Sequence, residues 1–149
     1  MKTKILFIGF LFFIIVSCNV SPQPISYGND GCNYCSMTII ERNYGAELVT
    51  SKGKVFKYDS MECLINSSLE ENADLDEYAY VLTNTNGEQE TLKNAKECVF
   101  MINKKLPSPM GANLTAFKNK ALAENTQQSL GGELYTWDEL LAMFKKTRN

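Results

Sequence analysis

The 149-residue chain has no histidine. That absence excludes imidazole general acid–base catalysis, Ser-His and Cys-His nucleophiles, and His-ligated zinc or copper. Clustered positive charge is also lacking. Beyond short pairs such as Lys104-Lys105 no basic stretch stands out, and the formal net charge is −2. Nucleic acid is therefore not an expected partner. No apolar run is long enough for an ordinary transmembrane span; the run from Ile5 to Val16 is too short.

That run has another use. Lys2 and Lys4 precede it, and "IVSC" (Ile15 to Cys18) follows. A basic head, a short apolar core and small residues before a cut describe a secretory signal. Aliphatic-x-small-Cys resembles the bacterial lipobox, which implies cleavage before Cys18 and acylation of its thiol. The expected mature protein is extracytoplasmic, lipid-anchored to a bacterial membrane (outer or cytoplasmic, facing the periplasm) and otherwise exposed to water. Removing 17 residues from 149 leaves 132, and losing Lys2 and Lys4 takes the formal charge from −2 to −4. Residues 18–30, polar with Pro22 and Pro24, read as a flexible tether.

The remaining stretch, 31–149, reads as one α+β domain. "SMTIIE" and "AELVT" are β-prone, "SKGK" is a turn, and "VFKYD" returns as a strand. Asp59 is placed to N-cap a helix running to about Glu71, with Glu62 three residues on. "YAYVLT" is the next strand and "NTNG" a turn. Further strands are expected at "ECVFMI", "LTAF" and "ELYT". A helix stops at Gly131-Gly132, and a final helix is capped by Thr136 with Glu139. The order is β-β-α-β followed by a similar arrangement, giving subdomains at roughly 31–84 and 85–149, without a repeat at the residue level.

Five cysteines are present: Cys18, Cys32, Cys35, Cys63 and Cys98. With Cys18 lipidated, four thiols remain in an oxidising compartment, enough for two disulfides or a metal site. "GCNYCSMTI" (Gly31 to Ile39) combines C-x-x-C with a methionine. If the chain is extended from Cys35, alternation puts Cys35 and Met37 on one side. Cys32 joins Cys35 only if the chain turns. In "PSPMG", Pro107 and Pro109 stiffen a loop that presents Met110, as an exposed sulfur or as a plug for an apolar gap. Thiolates and thioethers are soft and select Cu(I). Zinc without histidine would need all four cysteines. Cys63 lies about 200° round its helix from Met61, at roughly 100° per residue, and Cys98 is in register with Phe100. These two read as a disulfide or as separate packed thiols. A dithiol oxidoreductase using Cys32 and Cys35 is the alternative, although such enzymes place C-x-x-C between an apolar strand and a helix, a context missing here.

Together, the C-x-x-C-x-M near the start, "KYDSMECL", "PSPMGANLTAF" and "GGELYTWDEL" resemble the NosL family of nitrous oxide reductase accessory lipoproteins over nearly all of the mature chain. The resemblance implies a pair of β-β-α-β subdomains related to organomercury lyase. It implies a non-enzymatic Cu(I) chaperone working with an ABC-type assembly transporter towards the copper centre of nitrous oxide reductase. Its implied copper ligands are Cys35 and Met110, with Met37 a third sulfur. Many relatives have glycine where this chain has Ser36, and some have a nearby histidine. Cys32 is then either a replacement thiolate or half of a disulfide.

Overall fold

A computed structural model describes residues 20–148; the expected signal peptide and Cys18 lie outside the described residues. "AELVT" and "VFKY", rich in β-branched and aromatic residues, form an antiparallel hairpin, β1 (Ala46–Thr50) and β2 (Val55–Tyr58). Gly53, at φ 82°, supplies the positive φ the turn requires. The helix α1 (Met61–Glu70) follows. Its cap is Ser60, not Asp59: Ser60 is extended and its hydroxyl accepts the Cys63 amide at 3.3 Å. This one-residue difference frees the Asp59 carboxylate for another role. Met61, Leu64, Ile65 and Ser68 are buried on one face and Leu69 half-buried, but Glu62 and Cys63 are buried too, because loops pack over the helix's opposite side.

β3 (Tyr78–Thr85) pairs antiparallel with β1, and β4 (Glu88–Asn94) pairs with β3, giving a sheet of order β2-β1-β3-β4. After a 3-10 turn at Ala95–Glu97 the pattern recurs. β5 (Val99–Ile102) and β6 (Leu114–Phe117) form a hairpin, α2 (Lys120–Leu130) crosses, and β7 (Glu133–Tyr135) returns antiparallel to β5. The order β6-β5-β7 repeats β2-β1-β3. Each half is thus a β-β-α-β unit with its first strand in the centre. The division expected at 84 and 85 falls within β3; β4 belongs to the first sheet, and the sheets part at the 3-10 turn.

The helix α3 (Trp137–Arg148) begins with the expected capping box: Thr136 N donates to Glu139 at 2.8 Å and Glu139 N to the Thr136 hydroxyl at 3.4 Å. Its apolar stripe closes one core shared by both units. Trp137 and Leu140 meet Phe100 of β5 and Leu64 and Ile65 of α1 in that cluster, and the Trp137 and Phe100 ring centroids are 6.0 Å apart. A smaller cluster of Met101, Phe117 and Ala123 fills the space beneath α2. No helix among the described residues is long and apolar enough to cross a membrane.

Part of the segment expected to be a tether is docked on the domain. Gln23 N donates to the buried Glu47 carboxylate at 2.9 Å, Ile25 is buried, and Tyr27 shares a 2.6 Å hydrogen bond with Asn84. Lys57 Nζ holds the Pro24 carbonyl at 2.7 Å and Asp30 at 2.6 Å. Gly45 permits this packing: a Cβ there would lie 2.8 Å from both Asn84 and Ile25.

Candidate metal centre

The strap leads directly into the cysteine loop. Gly31 bridges Thr38, Cys32 N donates to Met37 O at 2.8 Å, and Ser36 N donates to Cys32 O at 3.0 Å. Residues 32–37 therefore fold back as a tight hairpin rather than as the strand expected at "SMTIIE". Ser36 takes a left-handed backbone, φ 64°. Alternation cannot pass through a left-handed residue, so the extended chain on which the Cys35–Met37 pairing rested is absent. Asn33 docks the hairpin on β2, its amide donating to Lys57 O and its side chain accepting from Lys57 N, both at 2.8 Å.

This turn brings Cys32 and Cys35 together. They meet Asp59, at the end of β2, and Cys63, in the first turn of α1. One donor atom from each of the four lies within 4.8 Å of all the others. Cys32, Asp59 and Cys63 are buried, while Cys35 is partly exposed and forms the opening. The Cys35 thiol donates to Asp59 Oδ2 at 3.5 Å. Asp59 Oδ1 is buried without a hydrogen-bond partner.

The thiols are electrostatically unequal. Cys32 is pulled down to about 6, chiefly because the Cys63 thiol donates to it, with help from backbone amides and against the effect of burial. Cys63 is pushed up by that same donation, then by burial and by Asp59. Cys35 is pushed up, mainly by burial. The contact with Cys63 thus favours the thiolate form of Cys32 and the protonated form of Cys63. Three sulfurs and a carboxylate with one unbonded oxygen form a donor set for a thiophilic cation, the sulfurs dominating its softness.

The methionines lie outside this inner cluster. Met37 is 57 % exposed and Met110 40 % exposed. The loop of Met110 is nevertheless fastened beside the cysteines. The Ser108 hydroxyl donates to the Glu62 carboxylate, and Leu114 N bonds to the same oxygen at 3.4 Å and to Ser108 Oγ at 3.2 Å. Glu62 immediately precedes Cys63.

Cys98 takes no part. It is buried, donates to Asn94 O at 3.3 Å, and is pushed up to about 11, mainly by burial. Cys63 and Cys98 are both free thiols. The disulfide considered for them is not formed, because Cys63 turns towards the hairpin and Cys98 towards its own 3-10 turn. Sequence reasoning overlooked Asp59 as a site residue and set Cys63 aside as a disulfide partner or packed thiol. The available signal was their i, i+4 spacing in "DSMEC", at a helix start just after a cysteine-bearing loop.

Two β-β-α-β units sharing one core, with three cysteines and an aspartate converging at a helix entrance, define a small α+β domain built around a sulfur-rich cation site. The chain belongs to the NosL family, whose model matches residues 24–143. It is similar in fold to the crystal structure of the copper chaperone NosL from Shewanella denitrificans, with a TM-score of 0.67 and 24 % identity, covering 81 % of this chain and 96 % of that one. No curated protein matches the chain.

Proposed function

We propose that this protein is an extracytoplasmic, lipid-anchored Cu(I) metallochaperone. It delivers copper for assembly of the catalytic copper centre of nitrous oxide reductase, working with an ABC-type transporter, and has no catalysis of its own. The observation that carries the copper reading is the convergence of Cys32, Cys35 and Cys63 on the Asp59 carboxylate, one of whose oxygens has no hydrogen-bond partner. Membership in the NosL family and the name of the Shewanella relative support it.

In this reading Cys35, at the opening, is the anchor for incoming copper. Met37 and Met110 add neutral sulfur from the exposed side, and Cys32 supplies a ready thiolate from the buried side. Graded burial makes release stepwise. A partner's ligand displaces the exposed thioethers first and then competes for Cys35. Because thioethers carry no charge, displacing them leaves no buried charge uncompensated.

The test is an anaerobic competition titration with a chromogenic Cu(I) chelator. Wild type is expected to hold Cu(I) tightly, and Cys35→Ala to lose that binding. Unchanged affinity in Cys35→Ala would sink the reading. Delivery is tested separately, by the copper content of the reductase from cells lacking this chain.

One observation favours a second reading, a membrane-tethered thiol–disulfide oxidoreductase: the lowered pKa of Cys32 beside Cys35. Against it, Cys32 is buried, whereas an attacking thiolate needs access. This reading predicts dithiol exchange activity that survives Met110→Ala.

A further inference from the structure

We infer that Glu62 is the positioning residue for Met110, clamping the methionine loop to the helix turn that carries Cys63; the inference rests on the proposed Cu(I) site. Glu62 is 1 % exposed and sits in the first turn of α1. It makes no ion pair among the described residues. Instead it accepts the Ser108 hydroxyl and the Leu114 amide, the two ends of the segment that displays Met110. Within that segment Gly111 N donates to Ser108 O at 3.0 Å, and Gly111 and Asn113 take positive φ of 81° and 59°. The loop is thus closed on itself and tied down at a single carboxylate.

That carboxylate is a costly choice for a clamp. Its other oxygen, Oε2, is buried with no partner, and leaving a buried acceptor unbonded forfeits its hydration without compensation. A purely structural contact between loop and helix could be apolar. What the carboxylate adds is direction: two donors converge on one oxygen and fix the loop's rotation relative to α1. Glu62 is adjacent to Cys63 and three residues after Asp59, so that rotation is defined against the cation site itself. A thioether must point its lone pair at the metal, and a loop free to swing would present Met110 only part of the time.

The experiment compares wild type, Glu62→Ala, Glu62→Gln, Ser108→Ala and Met110→Ala, each shown to be folded by its thermal melt. Three quantities are read: hydrogen exchange at the Leu114 amide without metal, the sulfur count around bound Cu(I) by X-ray absorption, and Cu(I) affinity by competition. Glu62→Ala and Ser108→Ala are expected to speed exchange at Leu114 and to remove one sulfur from the copper shell. They should weaken affinity by about 10–100-fold, the usual effect of losing a residue that orients a ligand. Combining either with Met110→Ala should add no further loss, and Glu62→Gln, which keeps an acceptor oxygen, should behave as wild type. Faster exchange with an unchanged sulfur count and affinity overturns the inference, as do losses that add to that of Met110→Ala. If wild type itself binds no Cu(I), the copper site fails and the positioning role with it. If only the clamp variants are silent, the role alone fails. Ser108→Ala removes a single hydroxyl and carries the test should Glu62→Ala not fold.

Discussion

Cys35 Sγ lies 3.5 Å from Asp59 Oδ2, while the other oxygen of that carboxylate is buried and bonded to nothing. These residues are 24 positions apart, joined by the hairpin and by β1 and β2. The fold therefore spends two loops and two strands to bring a thiol to a carboxylate that already has Cys63 one helical turn away. A cation seated among the sulfurs would take one oxygen of that carboxylate as a ligand.

The unequal thiols predict a pH signature in the metal-free, reduced protein. Cys32 is held at about 6 against an ordinary value of 9.0. Its stabilising contribution is full above the unfolded value and is lost as pH falls through about 6. Cys63 and Cys98 are pushed up, and Tyr58 is raised to about 12 by burial; their contributions are full below the unfolded values and are lost as pH rises. The buried Glu47 and Glu62 carboxyls, also raised, act in that second sense at lower pH. The difference in melting temperature between wild type and Cys32→Ser isolates the first effect. It should grow in favour of wild type between about pH 6 and 8; a shrinking difference counts against the assignment.

All four described cysteines are free, which predicts a definite thiol inventory. Protein purified without oxidation and denatured without reductant should alkylate at Cys32, Cys35, Cys63 and Cys98 alike. Peptide mass mapping reads this directly. A linked pair containing Cys63 and Cys98 would contradict the separation of their environments.

Ser36 sits in the left-handed region at φ 64°. That conformation costs an ordinary L-residue roughly 1–2 kcal/mol. Ser36→Gly should therefore stabilise the folded protein by about 1 kcal/mol, once glycine's greater unfolded freedom is set against the relieved strain. Urea denaturation of metal-free protein checks the sign. Destabilisation would mean that the serine side chain makes a contribution larger than the strain.

Where the local signal was strong, the sequence told the fold plainly. The Thr136–Glu139 capping box, the glycine stop after α2 and the β-prone strands of both hairpins are local features, and each appears where residue type and turn chemistry place it. The β-β-α-β order was legible because each unit carries its own turn and cap. The site was legible only in part. Cys32 and Cys35 meet through a turn at residues 33–35, closed by the Ser36 N to Cys32 O bond and followed by a left-handed serine, a conformation that no L-residue announces. Asp59 was hidden by its aptitude as a cap, a role that Ser60 fills one residue later. Cys63 was read against the apolar stripe of α1, a test that finds the core and is blind to a second buried side created by distant loops. The docking of residues 23–30 depends on Glu47, Lys57 and Asn84, partners too far along the chain for any local pattern to reveal.

That docked strap also sets a leash length. With Cys18 acylated, as proposed, only the five steps from Cys18 to Gln23 separate the lipid from the first anchored amide. Fully extended, they reach about 17 Å. The sulfur hairpin follows immediately after the strap, so a lipid on Cys18 would moor the domain close to the headgroups rather than on a long line. Copper would change hands at the bilayer surface, within reach of a transporter embedded there, and a soluble acceptor would have to come to the membrane to collect it.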